Sequence, residues 1–292
     1  MNSKNSEFKE LEKKLNEAYL ALLRDKNVAK TELLINEITN KLDGFESKED
    51  SNYFLDYLYM LRSNIAIFIA STGKRSLAIS ILIDLAKLQL EFAKETRERK
   101  HFKHVNTTVR NAGMISHQRH LEDTDCRDSE NIHELFNIVL MYSKQLDDIA
   151  ELQFTRRIYA KFLSTSGDKE KLNLIHTELL QTFSEYRIIP DSGGDIEKHM
   201  EMIMDEENMN RRLRTDLRSI NYESALGQYE YGKYLCEKGE SEKGIGEMKS
   251  ALFIIGYLHV SAQDMLIYDQ NYLPDINEIE KDIARFEQDK KS

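Results

Sequence analysis

Apolar residues recur at three- and four-residue spacing along almost the whole chain, and this feature restricts the fold more than any other. That period is the signature of helices with one buried face, and only two prolines, Pro190 and Pro274, punctuate it. Phe8, Leu11, Leu15, Ala18, Tyr19 and Leu22 make a first stripe, and Val28, Leu34, Ile35, Ile38 and Leu42 make a second. Residues 53–70 are apolar almost all round, as a helix sandwiched between neighbours should be. Further helices are expected over 76–100, 105–120, 132–146, 149–163, 172–186, 195–217, 223–238 and 241–259, with a last one starting near Asp275. The stretch 121–131 reads as a loop. The fold class is therefore all-α: stacked antiparallel helix pairs, as an α-solenoid or an irregular helical bundle.

Composition narrows the function classes. The 292 residues carry a formal charge of −10, which disfavours nonspecific nucleic-acid binding by the molecule as a whole. No window of about 18 uninterrupted apolar residues exists, so a membrane span is not expected. The first dozen residues are polar, unlike a signal peptide. Cys126 and Cys236 lie far apart and give no metal spacing, which suits a reduced, cytoplasmic setting. There is no P-loop, dinucleotide fingerprint, zinc-protease helix or nucleophile elbow, so no cofactor is expected.

One segment carries a repeat pattern. In residues 225–256, Tyr231 and Gly232 form a large-then-small pair, and Leu235 follows one turn later. Gly239 makes the turn, and Gly244, Met248 and Ala251 share the next helix face. This resembles a tetratricopeptide repeat (TPR), in which small residues let the two helices of a pair pack closely. Gln228 stands where the family has an aromatic residue, and the terminal proline is missing. Aligned on Gly73, Ala66, Ile69, Ala78, Leu82 and Leu85 take corresponding places. Aligned on Gly167, Tyr159, Ala160 and Leu163 fit, while Leu172 and His176 replace the expected small and aromatic residues. The resemblance implies a TPR-like stack that holds a peptide or partner segment. The expected organisation is an N-terminal helical hairpin at 1–45, a repeat region at 50–187 and a C-terminal repeat region with a capping helix at 195–292.

A basic run, 94–120, interrupts the middle region. It carries seven Lys/Arg against two Glu, and four of the eight histidines. His101/His104 and His117/His120 are spaced to share helix faces, but neighbouring cations oppose a metal, and none is expected. Arg110 followed by His117 resembles the Arg-x(4–6)-His signature of HEPN-type ribonucleases, and Arg99 with His104 fits a shorter spacing. That resemblance implies a metal-independent nuclease in which His moves protons and Arg stabilises phosphate charge. A third reading makes Arg97, Arg99, Lys100, Lys103, Arg110 and Arg119 contacts for a phosphate backbone or an acidic protein segment. Only Phe102 is interleaved with them, so base stacking is poorly provided for. The methionines at 200, 202, 204 and 209 read as adaptable packing.

The leading expectation is a nonenzymatic scaffold or regulator that binds a protein or peptide. Cytoplasmic peptide-sensing regulators are similar in architecture, but residues 1–45 lack the compact helix-turn-helix pattern of those that bind DNA. The chain is thus expected to act through another protein, with a homodimer also compatible.

Overall fold

The structure, a computed structural model, describes residues 2–42, 47–122, 129–186, 211–264 and 273–290. Among them it holds eleven helices and no strand. They are α1 (Asn2–Leu23), α2 (Val28–Leu42), α3 (Lys48–Ser71), α4 (Arg75–Thr96), α5 (Arg99–Glu122) and α6 (Ser129–Gln145). Then follow α7 (Ile149–Ser166), α8 (Lys169–Glu185), α9 (Arg211–Glu237), α10 (Ser241–Asp264) and α11 (Leu273–Asp289). No described helix is long and apolar enough to cross a membrane.

Local sequence sets the ends of these helices. Asn27, Ser47, Asp148 and Asp168 accept from the first-turn amides of Lys30, Asp50, Glu151 and Lys171, which satisfies donors that a helix start leaves open. Gly73, Gly167 and Gly239 turn the chain between α3/α4, α7/α8 and α9/α10 at φ of 86°, 88° and 87°. A side chain would strain that left-handed backbone, so the three glycines read from sequence as turns are required as glycines. Pro274 lies in the first turn of α11, where no amide donor is needed.

Two compact units, 1–135 and 136–292, divide the chain, and the boundary falls inside α6. In the first unit, α3 touches both helices of the α1/α2 pair, and α5 touches both α3 and α4. Leu11, Leu15, Ile35, Ile38, Phe54, Leu58, Leu61 and Ile65 fill the space between α1, α2 and α3. In the second unit, α9 touches both α7 and α8, and α11 touches both α9 and α10. Tyr229, Met248, Ala251, Ile255, Ile279, Ile283 and Phe286 form the core beneath α11. Within each unit, α3, α5, α9 and α11 thus each rest on both helices of a pair, which is how stacked pairs bury their core.

The α9/α10 pair closes on bare backbone. A Cβ on Gly232 would lie 2.7 Å from the Gly244 carbonyl oxygen, and one on Gly244 would lie 2.5 Å from that of Gly232. The residues aligned with the two glycines elsewhere, Ala66, Ala78, Ala160 and Leu172, are also buried.

Three expectations need adjustment. The helix expected over 76–100 ends at Thr96, because Arg97 takes a left-handed conformation at φ 57°. The short helix expected over 105–120 is α5, of 24 residues, and Gly113 is buried inside it without breaking it. No break separates 217 from 223: α9 runs through, with Ile220 and Asn221 buried and the Asn221 amide donating to the Tyr186 and Leu217 carbonyls. Cys126, Pro190 and the methionines at 200–209 lie outside the described residues.

Candidate functional site

The basic run forms the end of α4, the turn and most of α5. Thr96 donates back to the Phe92 carbonyl, and the Arg97 amide donates to that of Ala93. This sharp corner leaves Arg97, Arg99 and Lys100 exposed, with Lys103 half-buried one turn on. The corner is nevertheless mixed in charge. Lys94 pairs with Glu91 at 2.8 Å, Lys100 with Glu98 at 3.1 Å, and Lys48 reaches Glu95 at 3.9 Å. Phe102 turns inward and is buried, so it offers no face for a base.

The histidines of the corner are held internally. His101 is 2% exposed, with Nδ1 2.6 Å from the Thr96 hydroxyl. Burial pushes its pKa down, partly offset by Asp56, whose carboxylate lies 3.8 Å from Nε2. His104 Nδ1 sits 2.7 Å from the same Asp56 oxygen, which ties the start of α5 to α3. No group of three or more His, Cys, Asp or Glu among the described residues is arranged to hold a metal.

The remaining residues singled out from sequence do not converge on this corner. Arg110 is 8% exposed, and its guanidinium donates to the Thr107 hydroxyl at 3.1 Å. His117 and Arg119 are half-buried further along α5. Twenty residues of helix set Arg119 about 30 Å from Arg99. Four of the six proposed anion contacts therefore share one end of α5, while Arg110 faces the interior and Arg119 lies at the other end.

A second ordered polar surface, in the 136–292 unit, was not read from sequence. Arg157 of α7 pairs with Glu223 and, at 3.3 Å, with Glu230 of α9; Lys161 adds a 3.0 Å contact to Glu230. Burial works against the Arg157 charge, but Glu223 and Glu230 outweigh it and raise its pKa. Beneath this row, the Gln153 amide donates to Ser224, and Arg156 donates to Gln153, Thr182 and Glu178. These bonds fix α9 along α7 and α8. The sequence signal was the spacing itself: Arg157/Lys161 at four residues and Glu223/Glu230 at seven give each helix one charged face.

No family model, curated protein or solved structure matches this chain.

Proposed function

We propose that this chain is a protein- or peptide-binding helical-repeat scaffold or regulator of TPR-like design, without catalytic activity of its own and working in the cytoplasm. The observation that carries the reading is the stacking: α3, α5, α9 and α11 each rest on both helices of the preceding pair. Three glycine turns of one geometry and the Gly232/Gly244 contact support the TPR-like form of it. Such arrays present extended helix faces, and their usual cargo is a segment of another protein.

The mixed charges of the α4–α5 corner and the inward-facing Phe102 favour a protein partner over nucleic acid, since a phosphate backbone suits an unbroken basic stripe. The buried Arg110 weighs against cleavage by Arg110 and His117.

The test is capture from the native cell followed by nuclease treatment, beside an RNA-cleavage assay. The reading expects a captured protein that survives the nuclease, and RNA left intact with or without divalent metal. Cleavage that disappears in the Arg110→Ala/His117→Ala variant, or capture lost on nuclease treatment, would overturn it.

A further inference from the structure

α11 is seated along a groove of the α9/α10 pair, and among the described helices it touches only those two. Ile279, Ile283 and Phe286 are buried there in one core with Tyr229, Met248 and Ile255, and Ile276 packs beside them. Ile276, Ile279, Ile283 and Phe286 recur at three, four and three residues, which is one helix face. The carboxylates flanking that face meet named groups of the groove. Tyr222 donates to Asp275 at 2.7 Å, while the Tyr229 hydroxyl donates to Asp282 at 2.7 Å and lies 3.0 Å from Glu278. Lys233 pairs with Asp282 at 3.0 Å, and Lys249 with Glu287 at 2.7 Å. One pair is reversed, at the far end, where Lys290 reaches Glu242 at 3.9 Å.

Two features set this seat apart from ordinary core packing. The α9/α10 pair closes on Gly232 and Gly244 and is fixed to α7 by Arg157 and Gln153, so the geometry of the groove is set without α11. The last turn of α11 is also loosely seated. A cleft of about 640 Å³ opens beside it, lined by Glu242, Ile245, Gly246 and Lys249 of α10 and by Glu287 and Lys290. Glu278 and Asp282, four residues apart, repel each other within α11, and the groove's Tyr229 and Lys233 offset that repulsion.

We propose that the α9/α10 groove docks an acidic amphipathic helix of a partner protein, and that α11 is its resident competitor. The partner helix carries large apolar residues at i, i+3, i+7 and i+10 and carboxylates at i−1, i+2 and i+6. That is the pattern of Ile276, Ile279, Ile283 and Phe286 with Asp275, Glu278 and Asp282. Exchanging one such helix for the other re-buries the same kind of surface, and the apparent affinity falls with the fraction of chains whose groove α11 already fills. The proposal rests on the scaffold reading above and gives that scaffold its cargo site.

The test titrates the full chain with labelled peptides. One is residues 273–290, one is an unrelated helix that keeps only the pattern, and one carries lysine at the three acidic positions. Fluorescence anisotropy is expected to show weak binding of the first two to the wild type and none of the lysine peptide. Ile283→Ser/Phe286→Ser, which loosens α11 in place, should tighten binding at least tenfold, and Asp282→Asn should tighten it several-fold. Adding Tyr229→Phe/Lys233→Ala to the loosened chain should weaken binding several-fold again. Leu77→Ser, an exposed site in the other unit, should change nothing. Hydrogen exchange of the wild type needs no variant: α11 amides should exchange faster than those of α9 and α10, and faster still with the pattern peptide present.

Exchange of α11 in step with α9 and α10 overturns the proposal, because α11 is then a permanent part of one core. So does equal binding of the lysine peptide, or a loosened chain that binds neither acidic peptide. A wild-type dimer that the 273–290 peptide dissociates also overturns it, since the occupant is then α11 of a second copy. Protein capture that persists in Tyr229→Phe/Lys233→Ala leaves the scaffold reading standing while this groove is rejected. Peptide exchange with no captured protein instead rejects the scaffold reading and leaves the groove.

Discussion

α3 and α9 hold equivalent places, each laid across both helices of the pair before it, yet different forces hold them there. α3 meets α1 and α2 through aliphatic side chains and through aromatic contacts such as Phe8–Phe54, with ring centroids 5.0 Å apart. α9 meets α7 and α8 through packing to which a set of directed polar contacts is added: Arg157 to Glu223 and Glu230, Gln153 to Ser224, and Tyr231 to Asn173 at 2.9 Å. Apolar burial is non-directional and tolerates sliding, whereas a row of hydrogen-bonded charges fixes the helix along its axis. The contrast suggests a division of labour within one architecture: one stack defined by volume, the other by register.

The largest expected effects break each interface in its own way. Leu61→Ala in α3 should cost about 3 kcal/mol through the cavity it leaves. Arg157→Ala should cost about 3 kcal/mol, because two carboxylates lose their shared partner in a mostly buried place. Urea unfolding separates the two causes: adding Glu223→Gln/Glu230→Gln should recover much of the arginine cost and leave the leucine cost unchanged. An equal effect of the glutamine pair on both variants would contradict the comparison.

His176 gives a somewhat smaller effect that only the polar interface should show. It is 5% exposed, its ring lies 3.8 Å from that of Tyr231, and neither ring nitrogen has a hydrogen-bond partner. Burial, and then Lys243, pushes its pKa down to about 4. The unfolded chain binds this proton near pH 6.5 and the folded chain only near 4. Its contribution is therefore complete above pH 6.5 and is lost as pH falls towards 4. About 2–3 kcal/mol should disappear between pH 7 and pH 4.5. His176→Met, which copies Met248 of the aligned pair, should flatten that part of the urea-midpoint profile; an unchanged slope would remove His176 as its cause.

The turns give the smallest effect. Arg97 adopts at φ 57° a conformation that the α3/α4, α7/α8 and α9/α10 turns assign to glycine. Arg97→Gly should stabilise the chain by about 0.5 kcal/mol, and Gly239→Ala should destabilise it by about 1 kcal/mol. Thermal melts of the two variants should shift in opposite directions.

The helical fold was legible because Gly73, Gly167 and Gly239 sit between periodic apolar stripes, and both signals are local. The apolar period gives α5 too short a span because about half of its buried face is polar. His101, Asn106, Thr108, Arg110 and Ser116 are buried there, and an apolar count passes over them. The expected break near residue 220 failed for the same reason, since Asn221 and Ser224 are buried and hydrogen-bonded. Among the functional candidates, the basic character of the α4–α5 corner was visible, but the contact that ties it to α3 was not: Asp56 lies 48 residues from His104. Glu230 lies 73 residues from Arg157. Pairings of that length are set by stacking, and one sequence does not record them.

The account depends on stacked pairs whose last member, α9/α10, closes backbone to backbone. Two glycines of α10 test this most directly, because replacing glycine by alanine inside a helix ordinarily stabilises it by about 1 kcal/mol. A Cβ on Gly246 meets nothing within 4 Å, so Gly246→Ala should follow that rule. A Cβ on Gly244 would lie 2.5 Å from both the Cys236 sulfur and the Gly232 carbonyl, so Gly244→Ala should reverse the sign and destabilise by about 2 kcal/mol. Opposite shifts in the urea midpoints of these two variants are the predicted result; stabilisation by both would mean that the pair does not close on its glycines.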